Sequence, residues 1–295
     1  MTDLSRTRVV LPTGVELDVT HGGPESGPAI FFLHGFPESA RTWRHQLADL
    51  SRDHRVFAPD QRGFARSSKP PGVDNYTHEK PIGDLLALAD IFGVDRFTLV
   101  GHDWGGAIAW AAALGHPDRI ERLAIVNAPH PLVFQRSTFD DMDQRKASQY
   151  IRAFRVPGME THIASDLDNF FEKTFSGHFE LTFSDAEKAA YIDEWSQPGA
   201  VEAMLNWYRA APIIVPAMDE TPARPSYLDA PFPVLNMPVL VVWGMKDKAL
   251  TPVQLNGLDE LVADLRLVRV PDAGHFITWE RPEAVTSALR EFLDG

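Results

Sequence analysis

Apolar positions along this chain change period several times, and each change marks an element. From 7 to 22, "TRVVLPTGVELDVTHG" alternates apolar and polar residues on either side of Thr13-Gly14. Period-two alternation interrupted by a turn-forming dipeptide predicts a hairpin or two short strands. Six short apolar runs follow: "AIFFLHG" (29–35), "HRVFAPD" (54–60), "FTLVGHD" (97–103), "RLAIVNAP" (122–129), "PVLVVWG" (238–244) and "LRLVRVPDAG" (265–274). Bounded runs of this length suit strands buried on both faces of a parallel sheet. Helical patterns at 43–52, 80–93, 105–115 and 282–293 lie between them. The alternation predicts an α/β protein with a mostly parallel, doubly wound sheet.

The alternation fails between about 132 and 220, where polar helical sequence such as "DDMDQRKASQYIRAF" and "AVEAMLNWYRAA" replaces strands. This predicts a mostly helical insertion (132–220) that splits an α/β core into a first part, 1–131, and a second part, 221–295. The sheet is expected to resume at Pro238 after the Pro-rich connector "TPARPSYLDAPFP". No repeat or low-complexity segment is visible.

Composition narrows the chemistry. A chain of 295 residues with 44% hydrophobic composition can bury a large core. With no cysteine, there is no disulfide, no thiolate nucleophile and no cysteine-ligated metal. The net charge of −13 repels nucleic acid and anionic membrane surfaces. The first twenty residues interleave charges with apolar residues, and no run of about 18 apolar residues occurs. A soluble, cytoplasmic protein is the expectation, and the Asn75 sequon "NYT" is read as a loop.

In open parallel sheets, functional groups gather at the carboxyl ends of strands. Four such ends here carry "HGFP" (34–37), "GHDWGG" (101–106), "GMKDKALTP" with Asp247, and "DAGHF" with His275. "GHDWGG" fits a nucleophile elbow whose apex is aspartate: Gly101, Gly105 and Gly106 give a sharp strand-to-helix turn the space it needs. No G-x-S-x-G occurs, which argues against a serine esterase. Asp103 could equally be a helix N-cap, but a cap does not explain the glycines or the downstream Asp and His in the order nucleophile–acid–histidine. One of eleven histidines, His275 gains weight from its strand-end position. Asp247 would orient its imidazole. The other candidate acid position, after "RLAIVN", holds Asn127, which cannot carry the charge. Backbone N–H groups of Phe36 and Trp104 would form an oxyanion hole, with His34 fixing the first loop. The absence of H-E-x-x-H, a phosphate loop and G-x-G-x-x-G implies neither metal nor nucleotide cofactor.

On "HGFPES…W" (34–43), "APDQRGFARSS" (58–68), "GHDWGG", "NAPHP" (127–131), "NWYR" (206–209) and "GHF", the chain resembles the α/β-hydrolase superfamily, and within it the soluble-type epoxide hydrolases. The resemblance spans about residues 28 to 290. Ala65 departs from it, standing where the family commonly has glycine. The resemblance implies an α/β-hydrolase fold whose insertion is a helical cap, and two cap tyrosines over the nucleophile: Tyr208 of "NWYR" and Tyr150 of "QYIRAFRVPG". It further implies a cofactor-free conversion of a small epoxide and water to a vicinal diol. Asp103 would be esterified, and water activated by His275 and Asp247 would release the product. A homodimer remains open. A haloalkane or haloacid dehalogenase would share the same nucleophile. However, Phe36 replaces the asparagine of the former, and Trp104 and Ala107 replace the arginines of the latter. A non-catalytic binding protein on this fold is the remaining alternative, and the intact Asp103–Asp247–His275 set argues against it.

Overall fold

A computed structural model describes residues 4–175 and 183–295. Strands β1 (Ser5–Val10) and β2 (Glu16–Gly22) pair antiparallel, with Arg8 opposite Asp18. Gly14 turns the chain between them at φ 86°. Then come β3 (Ala29–Leu33), β4 (Arg55–Pro59), β5 (Phe97–His102), β6 (Ile120–Val126), β7 (Leu235–Gly244) and β8 (Val262–Val270). They form one eight-stranded sheet in the order β1-β2-β4-β3-β5-β6-β7-β8. From β4 onward along that order every neighbouring pair is parallel.

Helices α1 (Arg44–Leu50), α2 (Glu79–Ile91) and α3 (Trp104–Gly115) follow β3, β4 and β5. Between β6 and β7 lie α4 (Pro131–Asp140), α5 (Met142–Ala147), α6 (Gln149–Phe154), α7 (Met159–Ala164), α8 (Leu167–Phe175), α9 (Asp185–Trp195) and α10 (Ala200–Ala210). The short α11 (Ile277–Glu280) and α12 (Pro282–Asp294) close the chain. The stretch "DDMDQRKASQYIRAF" is broken at Ser148, whose hydroxyl accepts from the Gln144 amide at 2.9 Å. Asn75 sits in a 3-10 turn, Val73–Tyr76, rather than an irregular loop.

Because successive side chains on a strand point to opposite faces, the sheet divides the core in two. Ile30, Phe32, Val56 and Val100 pack with Leu47 of α1 and Leu289 of α12. Phe31, Leu33, Phe57 and Leu99 pack with Leu88 of α2 and Ile108 of α3. Each fully buried side chain of this size contributes roughly 1.5–3 kcal/mol. The inserted helices are fastened to the loops above the sheet by indoles. Trp195 Nε1 donates to the Pro37 carbonyl at 2.7 Å, and Trp207 Nε1 donates to the Arg62 carbonyl at 3.1 Å. Among the described residues no helix is long and apolar enough to cross a membrane.

Candidate active site

The turn from β5 into α3 is built as tightly as the spacing of its glycines requires. A Cβ on Gly105 would lie 2.1 Å from the Leu33 carbonyl oxygen, and one on Gly101 would lie 2.4 Å from the Gly105 carbonyl oxygen. At its apex Asp103 adopts φ 49°, ψ −121°, a conformation that L-residues avoid. It occupies the N-cap position of α3 but makes no side-chain capping hydrogen bond. Instead its Oδ1 accepts the Phe36 N–H at 2.7 Å. The geometry therefore removes the capping explanation: the side chain reaches across to the loop after β3.

Facing it is His275, in the loop between β8 and α11. Its Nε2 lies 3.6 Å from Asp103 Oδ2, an ion-pair contact longer than a hydrogen bond. Its Nδ1–H donates to Asp247 Oδ2 at 2.8 Å. Burial alone would lower the imidazole's pKa. The Asp247 carboxylate and then Asp103 outweigh it and hold His275 well above its ordinary value. Burial likewise pushes the Asp103 carboxyl up, and the facing His275 imidazolium, with the Phe36 N–H, brings it below the usual range. Asp247 is itself immobilised, its Oδ1 accepting the N–H groups of Ala249 and Leu250, both at 2.8 Å.

Asn127, dismissed above as an acid, proves to be a brace. Its Nδ2 donates to Asp247 Oδ2 at 2.7 Å, and its Oδ1 accepts the Gly244 N–H at 2.8 Å. The side chain thus ties the end of β6 to the end of β7, directly beneath the acid. His102, also unremarked in the sequence, donates Nε2–H to the His275 carbonyl at 2.8 Å and so holds the histidine loop. The quoted "NAPHP" and "GHDWGG" contain both residues, but nothing local to either motif reveals their partners.

The loop that carries Phe36 is organised by His34. Its Nδ1–H donates to the Gly35 carbonyl at 2.9 Å, so Nε2 is left to accept the Gln61 N–H at 2.9 Å. Burial keeps this ring neutral, with its pKa pushed down to about 4. Phe36 N–H already points at Asp103. Trp104 opens α3, where first-turn N–H groups have no carbonyl partner within the helix.

Tyr150 of α6 and Tyr208 of α10 meet above the elbow with ring centroids 5.9 Å apart and planes at 82°. Tyr208 stands edge-on to Phe36 (5.0 Å) and Trp104 (5.1 Å). Burial, reinforced by the Asp103 charge, raises both phenol pKa values above the ordinary one, so both hydroxyls stay protonated. Asp103, Tyr150 and Tyr208 line one cavity of about 600 Å³, counting its open mouth, whose other walls include Phe134, Ile151 and Leu250. Among the described residues no group of three or more His, Cys, Asp or Glu is placed to hold a metal ion.

This sheet order, elbow and acid–histidine relay define an α/β-hydrolase. The family model for the alpha/beta hydrolase fold matches residues 28–282, and the chain belongs to that family. Within it, the chain falls among the epoxide hydrolases. It is 31% identical to epoxide hydrolase A of Mycobacterium tuberculosis, over 98% of this chain and 97% of that protein. It is 33% identical to the AB hydrolase superfamily protein YfhM of Bacillus subtilis, over 98% of both. Among solved structures, an epoxide hydrolase from hot-environment metagenomes shares 45% identity with a TM-score of 0.90, over 99% of each chain. An epoxide hydrolase from Bacillus megaterium shares 30% with a TM-score of 0.87, over 98% of this chain and 100% of that one.

Proposed function

We propose that the chain hydrolyses an epoxide to a vicinal diol through an ester on Asp103, with helices α4–α10 acting as a cap over the reacting groups. One observation carries the reading: two protonated phenols and the Asp103 carboxylate line the same cavity. Asp103 Oδ1 is held by Phe36, so Oδ2 is the oxygen free to attack an oxirane carbon. Tyr150 and Tyr208 donate to the ring oxygen as it becomes an alkoxide. A halide leaves without needing a proton, whereas the ring-opened alkoxide must take one up, so two phenols favour the epoxide over a dehalogenase substrate.

The charges then account for the second step. In the resting site two carboxylates hold the proton on His275. Esterification makes Asp103 neutral and withdraws one of them, so the imidazole gives up its proton as the alkoxide takes one up through the tyrosines. Neutral His275, oriented by Asp247, then takes a proton from water attacking the ester carbonyl. The oxyanion forms at Oδ1, against the N–H groups of Phe36 and Trp104. Collapse breaks the bond between the carbonyl carbon and Oδ2, releases diol and restores both the Asp103 carboxylate and the imidazolium. Dividing the reaction this way replaces one hard displacement with two assisted ones.

A single turnover in heavy-oxygen water, with enzyme in excess, tests it. The new diol oxygen should be unlabelled, because it comes from Oδ2, while label enters the Asp103 carboxylate. Fully labelled diol in the first turnover means direct attack by water and removes Asp103 as nucleophile.

A further inference from the structure

Asp247 and Tyr150 serve different half-reactions and come from distant parts of the chain, yet one side chain holds both. Gln144 of α5 is fully buried, and its amide uses every hydrogen-bonding position it has. Oε1 accepts the N–H (2.8 Å) and the hydroxyl (2.9 Å) of Thr251. Nε2 donates to the Ala249 carbonyl and to Ser148 Oγ, both at 2.9 Å. The Gln144 backbone N–H donates to Asp141 Oδ1 at 2.7 Å, which fixes the start of α5.

Two of these partners belong to the loop that carries the acid. Ala249 and Leu250 donate the N–H groups that hold Asp247 Oδ1. Gln144 grips the residues on either side of Leu250, so the loop is held on one side by the carboxylate and on the other by the amide. The third partner, Ser148, is fully buried and immediately precedes α6. Its carbonyl accepts the Ile151 N–H at 3.0 Å, so the first turn of α6, with Tyr150 in it, is built on this residue. Leu250, Tyr150 and Ile151 line the cavity over Asp103, and Gln144 joins them from behind its wall. A side chain that only filled this space would need no polar atoms, since a buried amide costs free energy unless it is hydrogen-bonded.

We propose that Gln144 is a positioning residue for both half-reactions: it fixes the Asp247 loop and the first turn of α6 against each other, so that acid and phenol keep their places around Asp103 together. The inference rests on the epoxide reading above. Gln144 acts only through its neighbours. The bond to Ser148 steadies Tyr150, whose hydroxyl meets the alkoxide during ring opening. The bonds to Ala249 and Thr251 steady Asp247, which orients His275 during ester hydrolysis. The two arms therefore carry separate kinetic signatures.

Gln144→Met keeps the length of the side chain and removes all four bonds. Rapid-quench intact mass with styrene oxide or butene oxide gives the rates at which the Asp103 adduct forms and decays. Both should slow by about tenfold, within the roughly hundredfold that a misplacement of ~1 Å can cost. Ser148→Ala should slow adduct formation and spare its decay, whereas Thr251→Val should do the reverse. In a Tyr150→Phe background, Gln144→Met should change adduct formation by less than about twofold, because the hydroxyl it positions is gone, while decay still slows. A purely structural role would lower the melting temperature and the fraction of enzyme that forms adduct, and leave both rate constants of that fraction at the parent values. That result overturns the inference, and so does equal slowing of adduct formation with and without the Tyr150 hydroxyl. If Gln144→Met does not fold, the single-arm variants decide: parent rates in both Ser148→Ala and Thr251→Val overturn it. A parent enzyme that forms adduct with neither epoxide removes the epoxide reading, and this inference falls with it.

Discussion

Replacing Tyr208 by phenylalanine separates the two half-reactions. The ring is wedged among Phe36, Trp104, Phe154 and Tyr150 at centroid distances of 5.0, 5.1, 5.0 and 5.9 Å, so phenylalanine keeps its place and only the donor is lost. One preorganised donor to a developing oxyanion is worth roughly 2.7–4 kcal/mol. Here Tyr150 reaches the same region and retains part of the stabilisation, so the expected loss is ~1.4–2.7 kcal/mol, a ten- to hundredfold slower alkylation. Tyr150→Phe should behave alike, and the double variant should nearly abolish ring opening. Hydrolysis of the ester should change little, since in the proposed scheme its oxyanion forms at Phe36 and Trp104 rather than at the tyrosines. Raised phenol pKa values add a second expectation. Alkylation should show no alkaline loss from phenol ionisation up to pH ~10, the ordinary value for tyrosine. Rapid-quench intact mass under single-turnover conditions measures formation and decay of the Asp103 adduct directly. A double variant that alkylates at the parent rate refutes the assignment of both tyrosines.

Three further outcomes follow from the site. His275→Gln should alkylate but stall, leaving a long-lived Asp103 adduct visible by intact mass; normal turnover without adduct would remove His275 as the base. Asn127 holds φ 40°, so Asn127→Gly removes its bonds to Asp247 and Gly244 without adding backbone strain. Loss of a buried hydrogen bond to a charge should lower stability by about 1.5–3 kcal/mol and slow ester hydrolysis more than alkylation, as urea titration and adduct decay would show. Finally, His34 and His130 have folded pKa values pushed down to about 4, from 6.5 unfolded. Both rings bind protons more readily when unfolded, so acid favours unfolding. Stability should fall as pH drops from 6.5 towards 4, by up to ~3 kcal/mol for each ring, and an unchanged urea midpoint across that window would contradict it.

How much of this was legible in the chain depends on how local each signal is. Strand interiors were readable from bounded apolar runs, but their ends were not. β6 begins at Ile120 rather than 122. β7 begins at Leu235 rather than Pro238, because its pairing with β8 shifts register between Leu235 and Pro238, leaving no clean apolar run to read. Asp103 stood out because the steric demand of its turn falls on glycines two and three residues away, all within one motif. The relay beneath it left no such mark. Asn127 and Asp247 lie 120 positions apart, and they meet only because β6 and β7 are neighbours in the sheet. A residue that acts through a neighbouring strand looks, in sequence, like any other polar residue at a strand end. For that reason Asn127 could be excluded as the acid yet not recognised as its brace.

The helices between β6 and β7 present the opposite limit. Tyr150 and Tyr208 were named through a resemblance, and their amphipathic helices alone would fit any boundary between insert and core. What makes them a pair is the crossing of α6 and α10 above the elbow, which sets two phenols 5.9 Å apart over one carboxylate. Beside them a larger cavity lies open, walled by side chains of α3 and α10 together. Of the five candidate groups, Asp103, Asp247 and His275 thus follow strands, and Tyr150 and Tyr208 come from helices between β6 and β7. Groups at strand ends can be read from a few short motifs, while the tyrosine pair depends on how two helices meet.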